Sequence, residues 1–321
     1  MREFLKKVPI PTGGLALGLA ALGILLKPMS TAAYVACGLC SLALTILLAA
    51  RLLSDSAGIR EDFENPILAS VSATFLMTTM QLSTYLAPFA HVPAFAIWAC
   101  AVIAHFVLMA WFTVYHLRAF DLTKVYPTYF ICYVGIVVAS VSSPVYGLER
   151  LGSAIFWFGF IAYAVLLVMV TIRYAKHPVE EGARPLFCIY TAPMSLSLAG
   201  YLATEPIPNP VFACVLAVLA QLLLVAVLIR LPHFLRLKFY PSYAAMTFPF
   251  VITATALDRT LTMLANAGIV YPAVLHVLVG IETVLACAMV GYVFVRFLME
   301  FARIGRSLIA ERSCRRELAA E

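Results

Sequence analysis

Stretches of about twenty predominantly apolar residues recur along the whole chain, such as VFACVLAVLAQLLLVAVLIR at 211–230. That is the length an α-helix needs to cross a hydrocarbon core of about 30 Å, whereas a membrane barrel would show segments of about ten residues with alternating polarity. Composition agrees with helices in lipid: 63% of the 321 residues are hydrophobic and 12% charged, against about 25% charged in a soluble domain. The chain therefore reads as an all-α integral membrane protein, a single transmembrane domain over 1–321. Ten spans are expected, at about 12–27, 32–53, 66–87, 92–115, 127–144, 151–174, 185–204, 208–230, 241–263 and 271–300, with a short basic tail at 302–321. The start MREFLKKVPIPTGG is basic like a signal peptide, but no small-residue cleavage site follows a short apolar core, so it is read as retained.

Cytoplasmic loops near helix ends hold an excess of Lys and Arg. Of the 22 basic residues, 19 precede span 1, flank the links from even to odd spans or lie at or beyond the end of span 10. Only Lys27, Arg150 and Arg259 fall on the other side. Both termini are thus expected in the cytoplasm, and the net charge of +6 reflects topology rather than nucleic-acid binding.

The odd spans open on prolines: Pro11, Pro66, Pro127, Pro185 and Pro241, at intervals of 55, 61, 58 and 56 residues. A helical hairpin is repeated five times. Hydroxyls follow the same alternation, with 22 Ser and Thr in the odd spans and 6 in the even ones. Hydroxyls gain nothing from facing lipid, so the odd helices are expected to face protein or water. Pro193 and Pro249 also fall inside odd spans, while no even span has a proline beyond its first few residues. An internal proline frees a carbonyl that lipid tolerates only beside a partner or a wet cavity. Five kinked odd helices forming a pore, wrapped by an outer ring of five even helices, satisfy all three observations. Gly14 and Gly18 form a GxxxG whose plain reading is close helix packing.

Catalytic chemistry is missing. The sequence holds no HExxH, GxSxG, Walker-type loop or paired carboxylates at catalytic spacing, so no enzyme is expected. Of the eight cysteines, Cys37 and Cys40 form a CxxC within span 2, five more lie singly inside spans and Cys314 lies in the tail, a pattern that predicts neither a disulfide nor a metal site. No cofactor is expected. His105 and His276 read as packing histidines in outer helices, Glu282 as a buried contact, and Asp258 with Arg259 as a neutralising pair at the external mouth. An uncharged path with broken helices still favours anions, because exposed N–H groups and positive dipole ends line it. Without a fixed charge it binds weakly, which suits rapid passage.

PIPTGGLALGLAALG at 9–23 and AAMTFPFVITATAL at 244–257 are the residues on which the chain resembles the tellurite-resistance/C4-dicarboxylate transporter family, which includes bacterial tellurite-resistance proteins and plant guard-cell slow anion channels. Helix count and proline placement extend the resemblance over nearly the whole chain. The resemblance implies a homotrimer in a bacterial cytoplasmic membrane, each protomer with its own pore plugged by the phenylalanine of the TFP element, here Phe248. The pore is then expected to be lined by Gly14, Gly18, Thr74, Thr78, Gly135, Ser197, Ala245 and Ile252, with kinks at Pro193 and Pro249. The implied function is an anion channel or channel-like transporter for small anions; the alternative is a proton-linked C4-dicarboxylate or oxyanion (tellurite) carrier.

Overall fold

The computed structural model describes residues 2–118 and 120–318, and no strand occurs among them. After a short turn of helix, Arg2–Lys6, come α1 (Thr12–Leu26), α2 (Thr31–Ser54), α3 (Pro66–Leu86), α4 (His91–His116) and α5, built from Thr128–Tyr133 and Val137–Ser142. Then follow α6 (Glu149–Lys176), α7 (Glu181–Thr204), α8 (Pro210–Leu235), α9, built from Pro241–Met246 and Phe248–Asn266, and α10 (Val274–Leu318). A small amphipathic helix, Ser56–Glu64, links α2 to α3.

Seven of these, α2, α3, α4, α6, α7, α8 and α10, are long and apolar enough to cross a membrane. Helix α1 and the Val137–Tyr146 part of α5 are apolar but shorter. The α-helical part of α9 carries Asp258, Arg259 and four threonines among its 19 residues, a less apolar content than its neighbours. Side-chain caps fix several starts: Ser30 accepts from the Ala33 N–H at 3.2 Å, and Asn209 from the Val211 and Phe212 N–H groups at 2.9 and 3.1 Å.

Burial divides the helices by parity. In the most apolar window, 83% of residues are buried in α7 and 56% in α3, against 22% in α2 and 33% in α4, α6 and α8. In α1 nearly every residue from Thr12 to Leu25 is buried. The even helices instead present Leu39, Ile46, Val107, Val165, Leu222 and Val284 outward. Contacts follow the division: α1 packs on α3, α3 on α5, α5 on α7, α7 on α9, and α9 back on α1. Each even helix touches two odd ones, α10 lying against α9 and α1.

Three expectations change. Pro193 and Pro249 do not bend continuous α-helices. Helix α7 is 3₁₀ over Glu181–Tyr190 and α-helical over Thr191–Thr204, and Pro193 is the third residue of the α-helical part. Similarly, α9 is 3₁₀ over Pro241–Met246, breaks at Thr247 (φ −114°, ψ −86°) and restarts at Phe248 with Pro249 in its first turn. A first turn is where a missing N–H costs least, so both prolines start helices. Secondly, α8 continues to Leu235 and holds Pro232 in its last turns, so even helices are not free of inner prolines. Thirdly, the short basic tail expected at 302–321 is itself helical, continuing α10 as far as Leu318, while 319–321 lie outside the described residues.

On the side where the odd helices begin, two arginines fasten loops to the bundle. Arg51, 6% exposed, ion-pairs with Asp62 of the linking helix and donates to the Val8 carbonyl. Arg173, 3% exposed, stacks over Tyr126 at 4.4 Å and Tyr174 at 5.4 Å, and donates to the Thr123 carbonyl at 3.3 Å. Both are committed to structure and contribute little to any mobile basic surface.

Candidate functional site

A cavity of about 280 Å³ lies between the odd helices, and all five contribute to its wall. It extends from a rim at Glu180, Gly182, Tyr240 and Ser242 to a floor at Leu17, Met77, Gly135, Leu196 and Phe248. Past the floor the next residues are buried: Thr78, Val138 and Ser197 at 0%, and Ile252 at 3%. Phe248, itself 6% exposed, stands at this closed end together with Pro249.

The local sequence makes the floor. The break at Thr247 frees the chain to begin a new helix at Phe248, and Thr247 is held by donating its hydroxyl to the carbonyls of Gly14 at 3.0 Å and Ala244 at 2.7 Å. Glycines let α1 approach. A Cβ at Gly18 would lie 2.6 Å from Thr247 Cβ and 3.0 Å from the Phe248 backbone nitrogen, and one at Gly14 would lie 3.3 Å from Ala244 Cβ. The GxxxG of α1 therefore packs on the broken part of α9. Opposite, α5 opens its own turn: the Gly135 N–H reaches back five residues to the Phe130 carbonyl at 3.0 Å, and a Cβ there would meet the Ile131 carbonyl and Met77 Sδ. Such wide turns recur at functional sites.

Of the residues expected along a path, Gly14, Thr74, Gly135, Ala245, Phe248, Pro193 and Pro249 share this one cavity. Gly18, Thr78, Ser197 and Ile252 do not line it. Thr78 donates to the Thr74 carbonyl at 2.7 Å and the Gly13 carbonyl at 3.2 Å, tying α3 to α1. The wall is mostly apolar, contrary to the expectation of a hydroxyl-lined path. The α3 hydroxyls bond their own helix instead, Ser70 to Pro66, Thr74 to Val71, Thr79 to Phe75 and Ser83 to Met80. Leu17, Met77 and Leu196 were missed although each lies three residues past Gly14, Thr74 or Pro193 on the same helix face. In sequence they are indistinguishable from core.

Charge is sparse. Glu180 is the one acidic lining residue, and it is exposed at the rim, where water and salt screen it. The His105 Nε2–H donates to the Cys132 carbonyl (2.9 Å) in a buried packing role, whereas His276, which meets the Tyr271 hydroxyl (3.1 Å), is exposed. Glu282 is 3% exposed in α10, outside the cavity wall.

No curated protein matches the chain. A family model does, that of the voltage-dependent anion channels, SLAC1, over residues 8–298. With nearly the whole helical bundle covered, the chain belongs to the voltage-dependent anion channel family of membrane transport proteins.

Proposed function

We propose that this protein is an anion channel or channel-like transporter in which ten helices cross the membrane as five hairpins, the odd ones enclosing a path and the even ones facing outward. The observation that carries the reading is Phe248 at the closed end of a cavity to which all five odd helices contribute. The continuous cycle of contacts among those helices and their greater burial support the ring. The α-helical part of α9 begins at the cavity floor, so its positive dipole end favours an anion there. An apolar wall whose one charged residue, Glu180, lies at the exposed rim holds that anion weakly, as rapid passage requires. The apolar outer faces of the even helices suit lipid and a homotrimer. The distribution of basic residues supports cytoplasmic termini, and the resemblance to bacterial tellurite-resistance proteins supports a bacterial inner membrane.

In this reading Phe248 is the gate: its ring fills the narrowest point and disfavours a continuous water column, so ions meet a steric and a dewetting barrier. If the ring accounts for about 3 kcal/mol of that barrier, Phe248→Ala raises anion conductance by roughly 10²-fold, at about 1.36 kcal/mol per decade. The measurement is anion current per correctly folded protein in planar bilayers, wild type against Phe248→Ala. Well-folded mutant protein with unchanged or smaller current returns Phe248 to ordinary packing. Uptake driven by a pH gradient without unitary currents would favour the proton-linked dicarboxylate or tellurite carrier instead.

A further inference from the structure

Beyond Phe248 the same face of α9 carries a cation. Arg259 follows Phe248 by eleven residues, and at 100° per residue it returns to within about 20° of the phenylalanine's face, about 16 Å further along the helix. Its guanidinium donates from Nη1 to the Ala199 carbonyl of α7 at 3.3 Å. Ala199 in turn follows the cavity-lining Ala192 by seven residues, again within about 20° of the lining face. The contact therefore joins two helices where both lining stripes continue, on the side of Phe248 away from the cavity.

The sequence pairs Arg259 with Asp258, and in the structure the neighbouring carboxylate acts on the guanidinium through space without direct contact. Among the described residues no ion pair within 4.0 Å joins Arg259 to a carboxylate. Consecutive helical side chains diverge by about 100°, and Asp258 is exposed while Arg259 is half-buried. A guanidinium offers five N–H donors, and one is engaged, by a neutral carbonyl. Holding such a cation half out of water with no carboxylate in direct contact is unfavourable, and a small anion accepting its remaining hydrogen bonds offsets that cost.

We propose that Arg259 forms an anion-binding site in the path on the far side of Phe248, for a halide, nitrate or carboxylate group; this rests on the anion-path reading above. It gives the path one fixed positive charge, separated from the cavity by the gate. Arg51 and Arg173, on the cavity side, are already committed to protein partners.

The test uses the full chain as wild type, Arg259→Gln and Arg259→Lys. The first measurement needs no conduction: thermal stabilisation of the detergent-solubilised protein by chloride, nitrate or succinate against gluconate at equal ionic strength. Wild type and Arg259→Lys should be stabilised and folded Arg259→Gln should not, with the anion that acts separating inorganic ions from carboxylates. The second is conductance against chloride concentration, where Arg259→Gln should raise the half-saturating concentration by about tenfold, the scale of losing a charge-assisted hydrogen bond. Folded Arg259→Gln matching wild type in both assays overturns the site while leaving the pore reading intact. Loss of stabilisation in Arg259→Gln, in a protein whose wild type carries no anion current, keeps the site and sinks the pore reading. Should Arg259→Gln not fold, wild type alone decides, because absence of anion-specific stabilisation there overturns the proposal.

Discussion

The two halves of the inner helices are built differently. On the cavity side α7 and α9 begin as 3₁₀ segments, α3 is interrupted at Ser72, and α5 opens at residues 134–136. Ala73–Leu86, Thr191–Thr204 and Phe248–Asn266, whose first turns form the inner end of the cavity and which run on beyond it, are regular α-helix. A 3₁₀ helix is thinner and rises about 2.0 Å per residue against 1.5 Å. The ten residues Glu181–Tyr190 thus cover about 20 Å rather than 15 Å and leave lateral room. Around the floor, hydroxyls knit helices together: Thr253 meets Thr191 at 2.8 Å and Ser195 at 3.0 Å, joining α9 to α7. The cavity arises where the backbone is irregular and side chains are small; closure arises where the backbone is regular and polar groups cross between helices.

The largest effect that would break this comparison is expected at Gly18. Its substitution by alanine drives a Cβ into Thr247 and the Phe248 nitrogen, an overpacking that typically costs about 1–3 kcal/mol. Gly18→Ala should lower the thermal midpoint in detergent, and an unchanged midpoint would show that the irregular half is not braced by α1. Next comes the hydroxyl contrast. Thr253→Val leaves the buried Thr191 hydroxyl without its partner and should cost about 1 kcal/mol, whereas Thr84→Val, which removes only a bond to its own helix at Gln81, should stay within about 0.5 kcal/mol. Equal losses in denaturation would erase the distinction between knitting and back-bonded hydroxyls.

The smallest effect lies in the loop clamped by Arg173. Asp121 accepts from the Thr123 hydroxyl at 2.7 Å and the Thr123 N–H at 2.9 Å, which hold its carboxyl below the ordinary range. A depressed folded value means that its slight stabilisation is present above the unfolded pKa and fades as pH falls through the folded one. Thr123→Ala should move the Asp121 titration upward, as read by carboxyl NMR; an unmoved titration would separate this loop from the clamp.

Much of this was legible in the chain. The repeated apolar segments and the proline spacing marked the inner helices, and the hydroxyl count separated them from the outer ones, although for a different reason than expected. Ser70, Thr74 and Thr79 are abundant because buried helices tolerate hydroxyls that bond their own carbonyls, not because the cavity is polar. The 3₁₀ segments were illegible, since apolar residues such as Leu186 and Ile189 suit a tight helix and an ordinary one equally. So was the fate of Arg259, because adjacency in sequence hides the divergence of neighbouring side chains around a helix.

In the proposed reading of Phe248 as a gate, the brace between Gly18 and Thr247 sets a clock on it. With the Phe248 backbone pressed against α1 and Thr247 tied to the Gly14 carbonyl, a hinge at the break would have to pull two helices apart, a collective motion of microseconds to milliseconds. Turning the ring about its own side-chain bonds needs no such separation of helices, although a ring only 6% exposed turns more slowly than a surface side chain. Openings made that way would be too brief to resolve as steps in a current trace and would be recorded as one small, steady conductance with excess high-frequency noise.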